Sequence, residues 1–229
     1  MAINDGFAKS LNIKEKYKEV LIHYEIEWEE EQHTESKILN ADVVMKSPGI
    51  PDKVALFQSL LANNILVISE IEFASQFTKA NIIGITGSNG KTTTKEMIGS
   101  IISCYVGSKL KVLMSKGNFN NDIGLPLSLL NIKKTQKFAV VEMGMNHKGE
   151  IKYLSEIAKP DVAVITNIGE AHIEFFGSKA GIAKAKSEIF SGLKKNGIAV
   201  INREDEFYSL LKSAALRKKV ITFGLTAKS

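Results

Sequence analysis

The sequence predicts an α/β protein whose main part is a largely parallel sheet flanked by helices. Three observations carry that prediction. Short apolar runs recur at 82–86, 111–114, 138–142, 162–166, 198–201 and 219–223. Helix-like stretches lie between most of them. The first run leads into a glycine-rich junction that ends in Gly90-Lys91-Thr92-Thr93. Short continuous apolar runs alternating with helices describe strands buried on both faces, as in a parallel sheet. Ligands of such sheets bind beyond the carboxyl ends of the strands, so the residues just after each run are the ones to inspect.

Composition sets the outer bounds. A chain of 229 residues is one large or two small domains. Its 44% hydrophobic content supports a real core, and 24% charged residues is ordinary for a soluble globular protein. The net charge of +5 is spread over many lysines with no dense basic run, so no nucleic-acid partner is expected. No apolar run reaches the roughly 18 residues of a membrane-spanning helix. The N-terminus lacks the charged-then-apolar pattern of a signal peptide. One cysteine, Cys104, cannot form an internal disulfide, which fits a reducing compartment, and a cytoplasmic location is expected. Cys104 lies in an apolar helix-like run and reads as a core residue rather than a nucleophile.

Residues 1–80 read as a small domain of their own. After a lysine- and glutamate-rich opening comes a strand-like run, Ala41 to Met45. Ser47-Pro48-Gly49-Ile50-Pro51 is a turn by its proline and glycine content. A helix-like stretch from Lys53 to Asn63 and a second apolar run from Ile65 to Ile68 complete a strand–helix–strand unit. The acidic cluster Glu25, Glu27, Glu29, Glu30 and Glu31 reads as a solvated face rather than a site.

Residues 81–229 carry the chemistry. In Gly84-Ile85-Thr86-Gly87-Ser88-Asn89-Gly90-Lys91-Thr92-Thr93-Thr94, three glycines within seven residues let backbone N–H groups turn inward around an anion. A helix-like stretch, Lys95 to Tyr105, follows and adds free N–H donors and the positive end of its dipole. Lys91 reaches for the outer phosphates and the Thr92 hydroxyl for Mg²⁺, so a nucleoside triphosphate is the natural ligand. The loop departs from the generic phosphate-binding pattern, in which a glycine would stand at Ile85; here glycines stand at 84 and 87. The alternative is a glycine-rich turn with no ligand.

Other candidates follow the later runs. Glu142 ends the run that begins at Phe138 and is placed to bind Mg²⁺ directly or through water. By itself it reads equally well as an exposed strand-end glutamate. Asn167-Ile168-Gly169-Glu170-Ala171-His172 follows the next run, and a lone histidine such as His172 is more often structural than a ligand. Asn118, Asn120 and Asn121 surround a turn, where asparagines also serve conformation alone.

Taken together these motifs resemble the Mur ligases, ATP-dependent amide-bond ligases. The phosphate loop, Gly117 to Pro126, Val140 to Ile151, Asn167 to Ser178 and Gly181 to Phe190 resemble the branch that adds D-alanyl-D-alanine, over about residues 82–224. The resemblance implies a P-loop-type central domain at 81–229, with ATP and Mg²⁺ as cofactors and a UDP-N-acetylmuramoyl-peptide as substrate. It implies cofactor contacts from Thr86, Gly87, Ser88, Asn89, Gly90, Lys91, Thr92, Thr93 and Asn121. Thr92, Glu142 and His172 become metal-linked, and Lys91, His172 and Lys186 catalytic. Lys186 matches a lysine carbamylated in several Mur ligases; otherwise it is a surface lysine beside Lys184. Asn202 and Asp205 match a family position less firmly. Ala41 to Pro51 and Ile68 to Phe73 instead resemble the D-glutamate-adding branch, which implies a partial Rossmann-like domain over 1–80 without the glycine-rich opening of that branch. No C-terminal ligase domain is expected within the chain. A nucleotide-binding module without ligase activity, a simple ATP hydrolase and a relative of the D-glutamate branch are the alternatives.

Overall fold

The computed structural model describes residues 2–3, 15–29, 33–46, 53–69, 78–117 and 119–226. The chain divides into two compact units, Met1–Phe73 and Ala74–Ser229. The division falls within the connecting stretch ahead of the strand that begins at Asn81, a few residues before the 80/81 boundary expected from the sequence. The expected turn Ser47–Pro51, the segment Glu70–Phe73 and the residues Glu30, Glu31 and Asn118 lie outside the described residues.

The first unit holds a three-stranded parallel sheet, β1 (Ala2–Ile3), β2 (Val43–Lys46) and β3 (Leu66–Ser69), in the order β1-β2-β3. Helices α1 (Glu15–His23), α2 (Glu35–Leu39) and α3 (Ala55–Ala62) accompany it. Ile38, Val44 and Leu60 are fully buried at its centre. The strand–helix–strand order of β2, α3 and β3 is the one the apolar runs predict. Part of the acidic cluster has a local task instead of simple solvation. Glu29 Oε2 accepts a hydrogen bond from the Thr34 N–H at 2.7 Å, and Lys37 pairs with both Glu27 and Glu29 at 3.3 Å.

The second unit is a six-stranded sheet, parallel throughout, in the order β5-β6-β4-β7-β8-β9. Its strands are β4 (Asn81–Thr86), β5 (Val112–Met114), β6 (Phe138–Glu142), β7 (Val162–Ile165), β8 (Ile198–Asn202) and β9 (Lys219–Phe223). Between them run α4 (Lys91–Tyr105), α5 (Gly124–Leu130), α6 (Glu150–Ala158), α7 (Ile173–Phe176), α8 (Lys179–Ser187) and α9 (Tyr208–Ala214). All six apolar runs are strands, and the α/β class with its parallel sheet is the one observed.

Two local readings are corrected. Helix α4 starts at Lys91, one turn earlier than its apolar pattern suggests. Gly90 caps it in the left-handed region at φ 76°, and the β-branched Thr92, Thr93 and Thr94 mask the helical signal of the first turn. Cys104 is exposed and not in the core. Helix α4 lays Ile98, Ile102 and Val106 against Ile83, Ile85 and Val140 of the sheet, and a 3.6-residue period leaves Ile101, Cys104 and Tyr105 facing outward.

Helix α6 is fixed by a residue distant in sequence. Glu188 accepts from the Gly149 and Lys152 N–H groups at 3.0 and 3.3 Å, placing a carboxylate at the helix N-terminus where the dipole favours it. Just beyond, Gly192 packs directly on the α6 backbone. A Cβ there would lie 2.0 Å from the Ser155 carbonyl oxygen, which is held in the helix and cannot step aside. Gly192→Ala is therefore expected to destabilise the protein by about 1–3 kcal/mol through overpacking. Chemical denaturation measures it, and a midpoint equal to that of the wild type would contradict the close approach.

Candidate functional site

The sheet register sets the site. Ile85 on β4 lies opposite Glu142 on β6, and Thr86 lies opposite Ile165 on β7. The carboxyl ends of three adjacent strands therefore deliver the phosphate loop, Glu142 and the Thr166–His172 loop to one edge. Here parallel sheets bind their ligands.

The phosphate loop is clamped by the loop that follows β7. The Ser88 N–H donates to the Asn167 carbonyl at 3.0 Å, and the Asn89 N–H donates to Asn167 Oδ1 at 3.0 Å. Thr166 Oγ1 and Asn167 Nδ2 both donate to the Asn89 carbonyl, at 2.8 and 3.1 Å. The Gly169 N–H donates to Ser88 Oγ at 2.7 Å. Gly87 adopts φ 151°, and a Cβ there would lie 1.8 Å from Thr166 Oγ1, so only glycine serves both demands.

Two lysines converge on the loop. Lys91 Nζ donates to the Gly87 carbonyl at 2.9 Å, and Lys186 Nζ, from α8, donates to the same oxygen at 3.0 Å. Lys186 is buried, 2% exposed, which replaces the alternative of a surface lysine. Burial, and then the positive charge of Lys91, pushes its pKa down to about 7. Burial also lowers the pKa of Lys91, against the opposing pull of the Glu142 carboxylate. An ammonium in such a place is held at the threshold of losing its proton.

Glu142 is 1% exposed, which excludes the alternative of an exposed strand-end glutamate. Its Oε1 lies 3.1 Å from Lys95 Nζ, yet the contact lacks hydrogen-bond alignment, and Oε1 accepts no hydrogen bond among the described residues. The buried Thr86 hydroxyl likewise has no hydrogen-bond partner there. Thr92 and Thr93 are exposed on the first turn of α4. His172 is exposed in the left-handed region at φ 66° and packs its ring near Phe175, with centroids 6.5 Å apart.

A cleft of about 540 Å³ opens at this edge. Gly87, Ser88, Lys91, Asn121, His172 and Lys186 all line it. Asn121 has a conformational role as well: its Oδ1 accepts from the Gly124 N–H at 2.8 Å and caps the start of α5. Asn202 and Asp205 are braces near the site. Asp205 Oδ2 accepts from the Ile168 N–H at 2.7 Å.

Nothing in the apolar pattern singled out Lys95, which proves to be buried against Glu142. Its only sequence signal is a position four residues after Lys91 on the same helix.

Among the described residues no three His, Cys, Asp or Glu side chains form a group able to hold a metal. A magnesium ion held together with phosphates needs only one or two protein carboxylates. The unsatisfied Oε1 of Glu142 lies against Lys95 of α4, whose first turn carries the exposed Thr92 and Thr93 hydroxyls; neither Glu142 nor Thr92 lines the cleft, but both supply oxygens of the hard kind that magnesium takes. The residues present fit ATP and Mg²⁺.

Comparison with known proteins agrees with this geometry. Residues 85–229 match the Mur ligase middle domain, and residues 7–55 match the MurD N-terminal domain. The UDP-N-acetylmuramoyl-tripeptide–D-alanyl-D-alanine ligase of Haemophilus influenzae is 51% identical over 122 residues, 53% of this chain and 27% of that protein. The UDP-N-acetylmuramoylalanine–D-glutamate ligase of Christiangramia forsetii is 41% identical over 188 residues, 77% of this chain and 39% of that protein. The crystal structure of MurF ligase from Thermotoga maritima in complex with ADP superposes with a TM-score of 0.60 at 33% identity, over 80% of this chain and 42% of that one. The chain thus spans well under half the length of these relatives. With its phosphate loop, its buried carboxylate and its two converging lysines set on a parallel sheet, and with 85–229 matched throughout, the chain belongs to the Mur ligase family.

Proposed function

We propose that the chain serves an ATP-dependent amide-bond ligase of peptidoglycan-precursor synthesis, of the D-alanyl-D-alanine-adding type by its second unit. The observation that carries this reading is the convergence of Lys91 and Lys186 on the Gly87 carbonyl. Among the described residues neither ammonium has a carboxylate within ion-pair distance, so the cleft floor presents excess positive charge. A polyphosphate is the ligand that such a floor attracts.

In the reaction proposed, a carboxylate oxygen of a UDP-N-acetylmuramoyl-peptide attacks the γ-phosphorus of ATP and ADP leaves. An amine then attacks the acyl phosphate, inorganic phosphate leaves, and an amide bond forms. Lys91 holds the outer phosphates, helped by the positive N-terminal end of α4; the Ser88 and Asn89 N–H groups of the loop are already given to Asn167. Mg²⁺, when bound, neutralises charge spreading over the transferred phosphoryl group. Thr92 and Glu142 would hold it, with His172 a further metal-linked candidate across the cleft. Most of the rate comes from positioning and electrostatics rather than covalent help from the protein. We place the reaction in the cytoplasm, where ATP and UDP-linked precursors meet; among the described residues no helix is long and apolar enough to cross a membrane. The sequence similarity of the first unit to a D-glutamate-adding relative supports that branch as the second reading.

Lys186 is proposed to carry a carbamate. Its neutral amine attacks CO₂, an N–C bond forms, and one proton goes to solvent. The nitrogen keeps one N–H, enough to retain its bond to Gly87, while the new carboxylate adds the negative charge a second Mg²⁺ requires. Only the neutral amine reacts, so the sign follows from the pKa. With that pKa near 7, the reactive fraction grows as pH rises through 7 and falls about tenfold per unit below it.

Two outcomes are expected. Lys91→Ala should weaken binding of ATP with Mg²⁺ by about tenfold to a hundredfold, since a charge-assisted bond contributes about 1.5–3 kcal/mol. Calorimetry measures it, and unchanged affinity would remove Lys91 from the phosphate cradle. In ¹³C-bicarbonate, a carbamate resonance should appear at pH 8, fade below pH 7 and be absent from Lys186→Met. A resonance of equal strength in that variant would place the modification elsewhere.

A further inference from the structure

Lys95 is one turn beyond Lys91 on α4 and only 1% exposed. It is among the largest fully buried side chains of the protein. Burying an ammonium is costly unless charge and hydrogen bonds compensate it, and an apolar side chain would fill the same space more cheaply. The position therefore retains a charge for a reason beyond packing.

The neighbours of Lys95 Nζ indicate that reason. It donates to the carbonyls of Ser115 at 2.7 Å and Gly117 at 3.3 Å. It pairs with Glu142 Oε1 at 3.1 Å and, toward solvent, with Glu96 Oε1 at 3.4 Å. Ser115 holds the other end of the same glutamate: the Glu142 N–H donates to Ser115 Oγ at 3.2 Å. Ser115 is itself tied to β6, its N–H donating to the Val140 carbonyl at 3.0 Å. Both the backbone and the carboxylate of Glu142 are thus referenced to the end of β5, one through Ser115 and the other through Lys95. The ammonium spends its aligned N–H donors on the two carbonyls and gives Oε1 charge without an aligned hydrogen bond. That leaves the lone pairs of Oε1 open while the carboxylate stays compensated.

We propose that Lys95 is a positioning residue for Glu142: it holds that carboxylate in place beneath the phosphate loop, and so sets how readily the site takes a divalent cation with ATP. The proposal rests on the reading of Glu142 as the magnesium carboxylate. Without Lys95 the buried carboxylate has lost its nearest counter-charge, and it turns away from the loop. A role confined to packing would leave the metal response of the folded protein unchanged.

The test is a calorimetric titration of ATP into the full chain at stepped MgCl₂, and in EDTA, for the wild type, Lys95→Met, Lys95→Gln and Glu142→Gln. Lys95→Gln can still donate to Ser115 and Gly117 but carries no charge, so it serves if Lys95→Met does not fold. In the lysine variants the Mg²⁺ concentration giving half the gain in ATP affinity should rise about tenfold, as loss of a buried counter-charge implies. Metal-free ATP affinity should stay within about twofold, since Lys91 and the loop are intact. An unchanged Mg²⁺ midpoint in a folded lysine variant, beside a shifted one in Glu142→Gln, overturns the role of Lys95 and leaves the magnesium reading standing. An unchanged midpoint in Glu142→Gln, or no Mg²⁺ response in the wild type, overturns both. If neither lysine variant folds by circular dichroism, Lys95 is a structural residue and the proposal fails.

Discussion

The carbonyl oxygen of Gly87 receives two ammonium groups from lysines 95 positions apart in sequence, and the site is organised around that oxygen. Bringing a half-buried cation against a buried one is unfavourable by itself, and the charge of Lys91 makes Lys186 harder to protonate. The arrangement persists because the surroundings over-determine it. Gly87 is fixed in a conformation open to glycine, with Thr166 packed where a side chain would stand. The loop after β7 holds Ser88 and Asn89 by backbone and side-chain bonds. Lys186 is buried on α8 next to Ile182, Ala183 and Ala185, which are themselves buried, so its ammonium cannot readily withdraw to water. With Lys186 unmodified, the fold thus stores an excess of positive charge at the cleft floor, and an anion, bound there or formed on Lys186 itself, is what relieves it.

A second buried cation behaves differently. Lys95 meets two carboxylates and two carbonyls, so its charge is locally balanced, whereas Lys91 and Lys186 share one neutral oxygen. The contrast explains a division of labour within one helical turn and its neighbours. Balanced charge fixes geometry; unbalanced charge selects a ligand. Both kinds are held at one edge because the parallel register sets Ile85 beside Glu142 and Thr86 beside Ile165, bringing the loops that follow these strands together.

Most of the architecture was legible in the sequence because its signals are local. Six apolar runs gave six strands, since strands buried on both faces need no alternation to be recognised. The phosphate loop was legible because glycine and lysine at fixed spacing have few other uses. What escaped was long-range or one-sided. The exposed Cys104 sits among Ile101, Ile102 and Tyr105, and only the face turned to the sheet decides which of them is core. Lys95 looked like an ordinary helical lysine because its partners Ser115, Gly117 and Glu142 lie 20 or more positions away. Glu188 carried no sign of capping α6, for the same reason. The short helix α1 and the two-residue β1 were also missed: a lysine- and glutamate-rich segment shows little apolar period, and two residues show none.

The placement of these contacts also bears on how recognition is divided along the chain. Among the described residues, the bonds that shape the phosphate loop and its clamp join residues between Thr86 and Asp205, all within the second unit. The first unit has its own core around Ile38, Val44 and Leu60. The convergent lysines and the clamped loop are therefore features of one sheet edge within a single unit. That separation gives a physical reason why the same edge can sit within a chain whose residues 7–55 match the MurD N-terminal domain and whose residues 85–229 match the Mur ligase middle domain.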